Sequence, residues 1–578
     1  MQNFLSTIAT IWRLSLPYFR SEDRWPARIL LAAVVALELS GVAIHVILNQ
    51  WYNRFYNTLQ DRDWNAFVSA ILFFCVLVAI YTVLVVYQVY LNQWLQIRWR
   101  RWMTQNYLRH WLSAANHYRM QLLGDAADNP DQRIAEDMQL FVQFTLSISI
   151  GILNSIVTLC SFIVILWTLS ARAPLHLFGS SVNIPGYLVW AALVYATVAT
   201  IITHFIGRPL VNLNFNRQRF EADFRFNLVR VRENSEQIAL LRGETAEHAR
   251  LLDRFGAIAA NWYAIMSRTK KVTFFTVGAA QCAVIFPYVV VSPSYFAGHG
   301  QLGILTQTAN AFEAVRAALS FFVDFYRELA DWRAVVARLA GFEAAIAAAE
   351  AAASTPPVIR VVPGGEAASL RAEALDVRLP NRAPLVAADD FAIAPGERVL
   401  VTGPTGSGKS TLFRALDGIW PFGSGTVTIP RAARVRMMPQ RPYFPTGSLA
   451  DAIAYPAPPR SFAPAEIRDV LAAVGLPAFG ERLDEQAHWN RMLSLGEQQR
   501  LAIARAILHA PDFLFLDEAT ASLDEPSEAA IYRLIEARLP RAAVVSIGHR
   551  STLFAFHRRH AAVVHAGGRN QLSVISDQ

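Results

Sequence analysis

The run GPTGSGKS, residues 403–410, has the spacing G-x-x-x-x-G-K-[ST]. It follows the strand-like RVLVT and opens a helix-like stretch beginning at Thr411, the setting in which this spacing cradles phosphates. The loop Gly403, Pro404, Thr405, Gly406, Ser407 and Gly408 can turn its backbone N–H groups around a phosphate at a helix N-terminus. Lys409 can then reach the β- and γ-phosphates, and the Ser410 hydroxyl can ligate Mg²⁺. Further along, DFLFLDEAT is an apolar strand ending in Asp517 and Glu518. Such a pair suits metal coordination by the first carboxylate and water activation by the second. Alone it could be a solvated strand end, but its position after a phosphate loop favours hydrolysis of a nucleoside triphosphate.

Between these two motifs stands LSLGEQQR, residues 493–500. It resembles the signature sequence of ATP-binding-cassette (ABC) proteins. Gln440 in RMMPQRPY resembles that family's Q-loop, Asp524 in ASLD its D-loop and His549 in SIGHR its switch histidine. The resemblance implies an α/β nucleotide-binding domain that uses ATP and Mg²⁺. It also implies roles: Glu518 polarises the attacking water, His549 contacts the γ-phosphate, and Gln440 serves both catalysis and, with Ser410 and Asp517, the metal. In the family two cassettes pack head to tail, so Ser494, Gly496, Glu497 and Asp524 would complete the ATP site of a partner. With one cassette per chain, the resemblance implies dimerisation, most simply as a homodimer. One departure concerns adenine, which the family stacks on an aromatic side chain upstream of the phosphate loop. VRLPNRAPLVAADD offers none. Arg382 could stack through its guanidinium plane, or simply be a solvated turn residue.

The elements that must position this chemistry are of two kinds. The 578 residues are 53% hydrophobic and 17% charged, with mean hydropathy +0.27, which points to the lipid bilayer as solvent. Six apolar runs, near 28–49, 66–93, 141–169, 186–206, 272–294 and 303–324, are long enough to cross a bilayer as helices. The sixth is the most polar, with Gln307, Asn310, Glu313 and Arg316. Residues 1–27 have apolar residues at helical spacing beside Arg13 and Arg20, which predicts an interfacial helix. A transmembrane domain then covers 28–345, a linker with Pro-Pro and Gly-Gly covers 346–368, and the ATP-binding domain covers 369–578. Net charge +8 comes mostly from Arg in the second-to-third and fourth-to-fifth connections. That pattern excludes nucleic acid as the expected partner and places both termini and the cassette in the cytosol. Cys75, Cys160 and Cys282 lie inside apolar runs and read as small buried hydrophobes.

Ionisable groups within spans are functional candidates because burying them is costly. Glu38, Glu313 and Arg316 are therefore candidates for lining a substrate cavity, with Gln307 and Asn310 on the same slowly drifting face. A Glu313–Arg316 ion pair that merely packs the bundle is the plainer alternative. The charged segment EADFRFNLVRVRENSEQIALLRGE, 221–244, predicts an amphipathic cytosolic helix. It resembles the EAA-like segment of the peroxisomal fatty-acyl transporters and of the bacterial BacA/SbmA-like group. NQWYNRFYNTLQ (49–60), GIWPFGSG and MPQRPYFPTGSL extend that similarity. The resemblance implies an exporter-like fold in the bacterial inner membrane and uptake of hydrophilic cargo, including antimicrobial-type peptides. Lipid or acyl-CoA transport, export, a membrane-tethered ATPase and a gated channel are the alternatives; the intact Lys409, Glu518 and His549 argue against the last.

Overall fold

The computed structural model describes residues 2–124, 129–172, 175–177, 180–182, 184–298, 301–365, 369–566 and 569–575. They form two units, Met1–Asn106 with Asp131–Ala340 and Tyr107–Pro130 with Gly341–Gln578.

The first unit is helical. Its spans fall in the helices Arg24–Asp61, Trp64–Leu112, Met138–Arg172, Tyr187–Gly207, Glu244–Phe296 and Leu302–Ser354. Among the described residues, five helical segments are long and apolar enough to cross a membrane, and the expected sixth span is the first part of Leu302–Ser354. The helices outrun their apolar segments. NQWYNRFYNTLQ stays helical to Asp61, where Arg62 in a left-handed conformation (φ 57°) ends the helix. The N-terminal helix stops at Arg20, and a new helix starts at Arg24 rather than at 28. Tyr18 is fully buried and stacks on Trp99 at 5.4 Å, while Trp12 is exposed. Segment 221–244, expected as one helix, is broken: Pro209–Glu233 ends at Asn234, followed by Ser235–Leu240 and then Gly243 before Glu244–Phe296. At the first break Asn234 Nδ2 shares the Arg230 carbonyl (2.8 Å) with its own N–H (3.0 Å), and at the second Arg242 stands in a left-handed conformation (φ 52°). The three cysteines are exposed on the helix surfaces, not buried as expected.

A polar seam joins helix Arg24–Asp61 to the start of Leu302–Ser354. Asn49 Nδ2 donates to the Gln307 carbonyl (3.0 Å) and Asn53 Nδ2 to Gln307 Oε1 (2.5 Å). Asn57 Oδ1 accepts from Gly303 N (2.9 Å) and Gln60 Oε1 from Leu302 N (2.7 Å), satisfying two N–H groups that a helix start leaves open. The approach requires glycine, because a Cβ on Gly303 would stand 2.1 Å from the Asn53 carbonyl oxygen. Gly303→Ala is expected to push the helices apart, at a cost of about 1–3 kcal/mol, and to lower the melting temperature of the detergent-solubilised protein. An unchanged thermal-shift midpoint would contradict this contact. A second fastening is ionic: buried Asp137 accepts from Arg133 Nη1 (2.5 Å) and from Arg338 Nε (2.9 Å) and Nη2 (2.6 Å).

The second unit holds a ten-stranded sheet. From the middle of the sheet to one edge, strands Arg559–Ala566, Arg398–Thr402, Ala543–Ile547, Phe513–Asp517 and Val435–Met438 run parallel in that spatial order. Strands Leu370–Arg378, Pro384–Ile393 and Gly423–Pro430 pair antiparallel beside them. The stretch expected as a linker is structured: the last long helix runs to Ser354, and Arg360–Gly364 joins the sheet edge by pairing with Gly423–Pro430. Short helix Asn116–Leu122, also in this unit, packs Tyr118 and Leu122 against the sheet's core.

Candidate nucleotide site

Parallel strands end at a common edge, and here four neighbours each deliver one expected group. Arg398–Thr402 leads into the phosphate loop, Val435–Met438 to Gln440, Phe513–Asp517 to Glu518, and Ala543–Ile547 to His549. Gly403 turns with φ 141°, and a Cβ there would lie 2.8 Å from the Val563 carbonyl oxygen, so the tight turn excludes side chains. Pro404, Thr405 and Gly406 are exposed at the loop crest, while Ser407 is buried. Lys409, the first residue of helix Lys409–Leu416, is 6% exposed, and its Nζ donates to the carbonyls of Gly403 and Pro404, both at 2.8 Å. Burial lowers its pKa, opposed by the charges of Glu518 and Asp517.

Ser410 Oγ donates to Asp517 Oδ1 at 2.8 Å. Burial pushes the Asp517 carboxyl up, against the lowering effects of this hydrogen bond and of Arg414. Glu518 follows in a left-handed conformation (φ 50°), its N–H bonded to the Ile547 carbonyl at 3.1 Å. That turn aims its carboxylate at Gln440, whose Nε2 donates to Oε2 at 2.9 Å, and brings Oε1 within 3.3 Å of His549 Nε2. Lys409, Ser410, Gln440, Asp517, Glu518 and His549 thus gather at one edge, with Thr411 in the first turn of the same helix.

The remaining expected residues hold helix ends. Ser494 caps helix Leu495–His509: its Oγ accepts from Glu497 N (3.3 Å), and Glu497 Oε2 accepts from Ser494 N (2.9 Å) and Oγ (2.8 Å), a reciprocal capping box. Gly496 lies in the first turn of that helix. Asp524 caps Glu525–Arg538 by accepting from Ser527 N at 3.3 Å, and the Ser527 hydroxyl, ahead of that N–H, lowers its pKa. Among the described residues no hydrogen bond or ion pair joins Ser494, Gly496 or Glu497 to the phosphate loop.

Two contributors escaped the sequence reading. Gln499, 1% exposed, donates to the Gln440 carbonyl (3.4 Å) and accepts from Ser522 N (2.9 Å), tying the signature helix to the loops after both Gln440 and Glu518. Arg550 donates to the carbonyls of Leu523 (2.6 Å) and Ala521 (3.0 Å) and faces buried Glu528 at 3.5 Å, which anchors the backbone next to His549. Both stand inside motifs already singled out, but only their helical phase and strand neighbours show what they touch. Arg382 is exposed in a left-handed turn (φ 66°).

The membrane candidates separate. Gln307 is buried in the polar seam, whereas Asn310 and Glu313 are exposed. The single face expected for them is therefore divided. Glu313 accepts from Arg316 Nε (2.7 Å) and Nη2 (2.5 Å), the intrahelical pair given above as the plainer alternative. Glu38 is half-buried and accepts from Asn154 Nδ2 (2.5 Å) and from the Gln88 amide.

Residues 14–296 match the family described as ABC transporter transmembrane region 2, and 386–521 match that described as ABC transporter. The Escherichia coli inner membrane ABC transporter ATP-binding protein YddA is 33% identical, covering 94% of this chain and 95% of its own. The chain belongs to the ABC transporter family. This ABC transporter is also 32% identical to the chloroplastic ABC transporter D family member 2 of Arabidopsis thaliana, over 96% of this chain and 86% of the relative. Its fold matches a bacterial Atm1-family ABC exporter solved with ATP bound, with a TM-score of 0.70, 94% coverage of each chain and 19% identity. It is a half-transporter of the subfamily D type, one membrane-spanning region fused to one ATPase domain, whose ATP hydrolysis is coupled to transport.

Proposed function

We propose that two copies of this ABC transporter pack cassette to cassette and move antimicrobial-type peptides and other hydrophilic cargo inward across the bacterial inner membrane. The observation that carries the dimer is the division of the ATP machinery: phosphate loop, Asp517, Glu518, Gln440 and His549 share one sheet edge, while the signature residues stand at a separate helix N-terminus with no bond to that loop. A helix N-terminus stabilises negative charge, so the capped end at Ser494 suits the γ-phosphate of an ATP held by the other copy.

Within such a site Lys409 would release its two loop carbonyls for the β- and γ-phosphates. Glu518 would accept the proton of the attacking water, held in place by Gln440 and His549. The oxygen donors present fit Mg²⁺, a hard cation: the Ser410 hydroxyl and Asp517 carboxylate are already 2.8 Å apart, and the Gln440 side chain bonds Glu518, the residue after Asp517. Bound there, the ion would offset phosphate charge.

Hydrophilic cargo is favoured by exposed Asn310 and Glu313 on the last membrane helix, polar groups not sealed into the bundle. Kinship with subfamily D makes lipid or acyl-CoA transport the second reading. Labelled cationic peptide and labelled acyl-CoA, offered to proteoliposomes with ATP on the cassette side, separate the two. Peptide moved toward the cassette face, with no acyl-CoA movement, is the expected outcome. Preferential acyl-CoA movement would overturn the cargo assignment.

A further inference from the structure

Helices Pro209–Glu233 and Glu244–Phe296 enclose an open cleft of about 460 Å³, lined by Pro209, Asn212, Leu213, Ser267, Arg268 and Lys271. Its walls are fixed: Asn261 Nδ2 donates to the Leu213 carbonyl at 3.0 Å, and Arg217 lies over the Trp262 ring at 5.5 Å. The cleft lies where the fourth apolar helix ends. Apolar helix Tyr187–Gly207 ends immediately before it, and a Cβ on Gly207 would meet Val272, the first residue of the fifth apolar run, at 3.9 Å. Lys271 is therefore level with the point where span four leaves the membrane.

Two cations share this cleft with the Asn212 amide and the Ser267 hydroxyl. Among the described residues no carboxylate lies within ion-pair distance of Arg268 or Lys271. Lysine is otherwise rare in this chain, which has three, two of them Lys270 and Lys271. Unneutralised like charges a helical turn apart are unfavourable on their own. Next to a bilayer surface, basic residues attract anionic headgroups and basic pockets between spanning helices bind them.

We propose that this cleft binds the phosphate of an anionic membrane lipid, with Arg268 and Lys271 supplying charge and Asn212 and Ser267 supplying hydrogen bonds. The lipid would sit at the junction between the fourth span and helix Pro209–Glu233, so its occupancy would steady the path between span and cytosolic loop. This assignment is independent of which cargo the protein carries.

The test uses the full-length protein, released from membranes in mild detergent and titrated with phosphatidylglycerol while bound lipid is counted by native mass spectrometry. The R268Q/K271Q double variant is expected to bind phosphatidylglycerol about tenfold more weakly than the parent, equivalent to about 1.4 kcal/mol. R232Q/R254Q, which removes two positive charges elsewhere in the same cytosolic segment, should bind as the parent does. Equal binding by R268Q/K271Q and the parent overturns the site, as does equal weakening by both double variants. Competition by phosphatidylcholine as effective as by phosphatidylglycerol overturns the anionic lipid as ligand. Displacement by millimolar inorganic phosphate alone would reassign the cleft to a soluble phosphate and likewise overturn the lipid. ATPase activity of R268Q/K271Q in neutral lipid, retained at the parent's level, certifies that the variant is folded.

Discussion

Glu518→Gln is expected to slow ATP turnover by about 10²–10⁴-fold, the range that a positioned general base contributes, while ATP binding is retained. The amide keeps the size of the carboxylate and its reach to Gln440 and His549, at 2.9 and 3.3 Å in the parent, but it cannot accept a proton from water. The groups proposed to bind ATP are elsewhere, in the loop from Gly403 to Ser410, and are unchanged. Steady-state phosphate release and equilibrium binding of a fluorescent ATP analogue, measured on the same preparation, separate the two effects. Turnover near the parent's rate would remove Glu518 from the chemistry. Loss of binding and turnover together would assign it to the pocket's architecture.

Asp137→Ala is expected to destabilise the membrane unit by about 3–5 kcal/mol, because removing one member of a buried ionic cluster leaves uncompensated charge behind. Asp137 is 1% exposed, and it answers both Arg133 and Arg338, the latter through two bonds on the last long helix. Arg133 lies one turn away on the same helical stretch and Arg338 on the helix Leu302–Ser354, so the substitution also frees the two helices from one another. The measurable effect is a large drop in thermal midpoint in detergent, with ATPase activity lost at temperatures the parent survives. Glu247→Ala, which breaks the exposed pair with Arg250 at 3.0 Å, should change little, since exposed pairs contribute about 0–1 kcal/mol. Similar midpoints for the two variants would contradict the assignment of Asp137 as a buried fastening.

The nucleotide chemistry was legible in the sequence because each piece is a contiguous motif flanked by its own strand and helix. GPTGSGKS and DFLFLDEAT carry their local structure in their own residues, and parallel strand order then brings Gln440, Glu518 and His549 within contact distance. Long-range partners carry no such local signal. Gln307 looked like one wall of a cavity because its spacing matches Asn310, Glu313 and Arg316, yet its partners Asn49 and Asn53 lie on another helix and bury it. Nothing in the sequence around Gly303 indicates that a carbonyl 250 residues earlier excludes a Cβ, a separation given by the numbers 53 and 303. Segment 221–244 has a continuous helical pattern, yet the chain breaks it at Asn234 and again at Arg242, which stands in a left-handed conformation (φ 52°). The cysteines were misread because apolar surroundings mean a core in water but an outer surface in lipid.

The central claim is that a phosphate loop and the signature completing its ATP site belong to different copies of the chain. Two differently tagged variants test it, Lys409→Met, which lacks the phosphate-loop cation, and Ser494→Arg, which blocks the signature helix. Each homodimer should be inactive. In dimers containing one of each, one site pairs both defects and the other pairs an intact loop with an intact signature. A randomly mixed preparation should therefore recover about a quarter of the parent's ATPase activity, from half of the dimers with one of two sites each. Activity no higher than that of the separate variants would contradict the account.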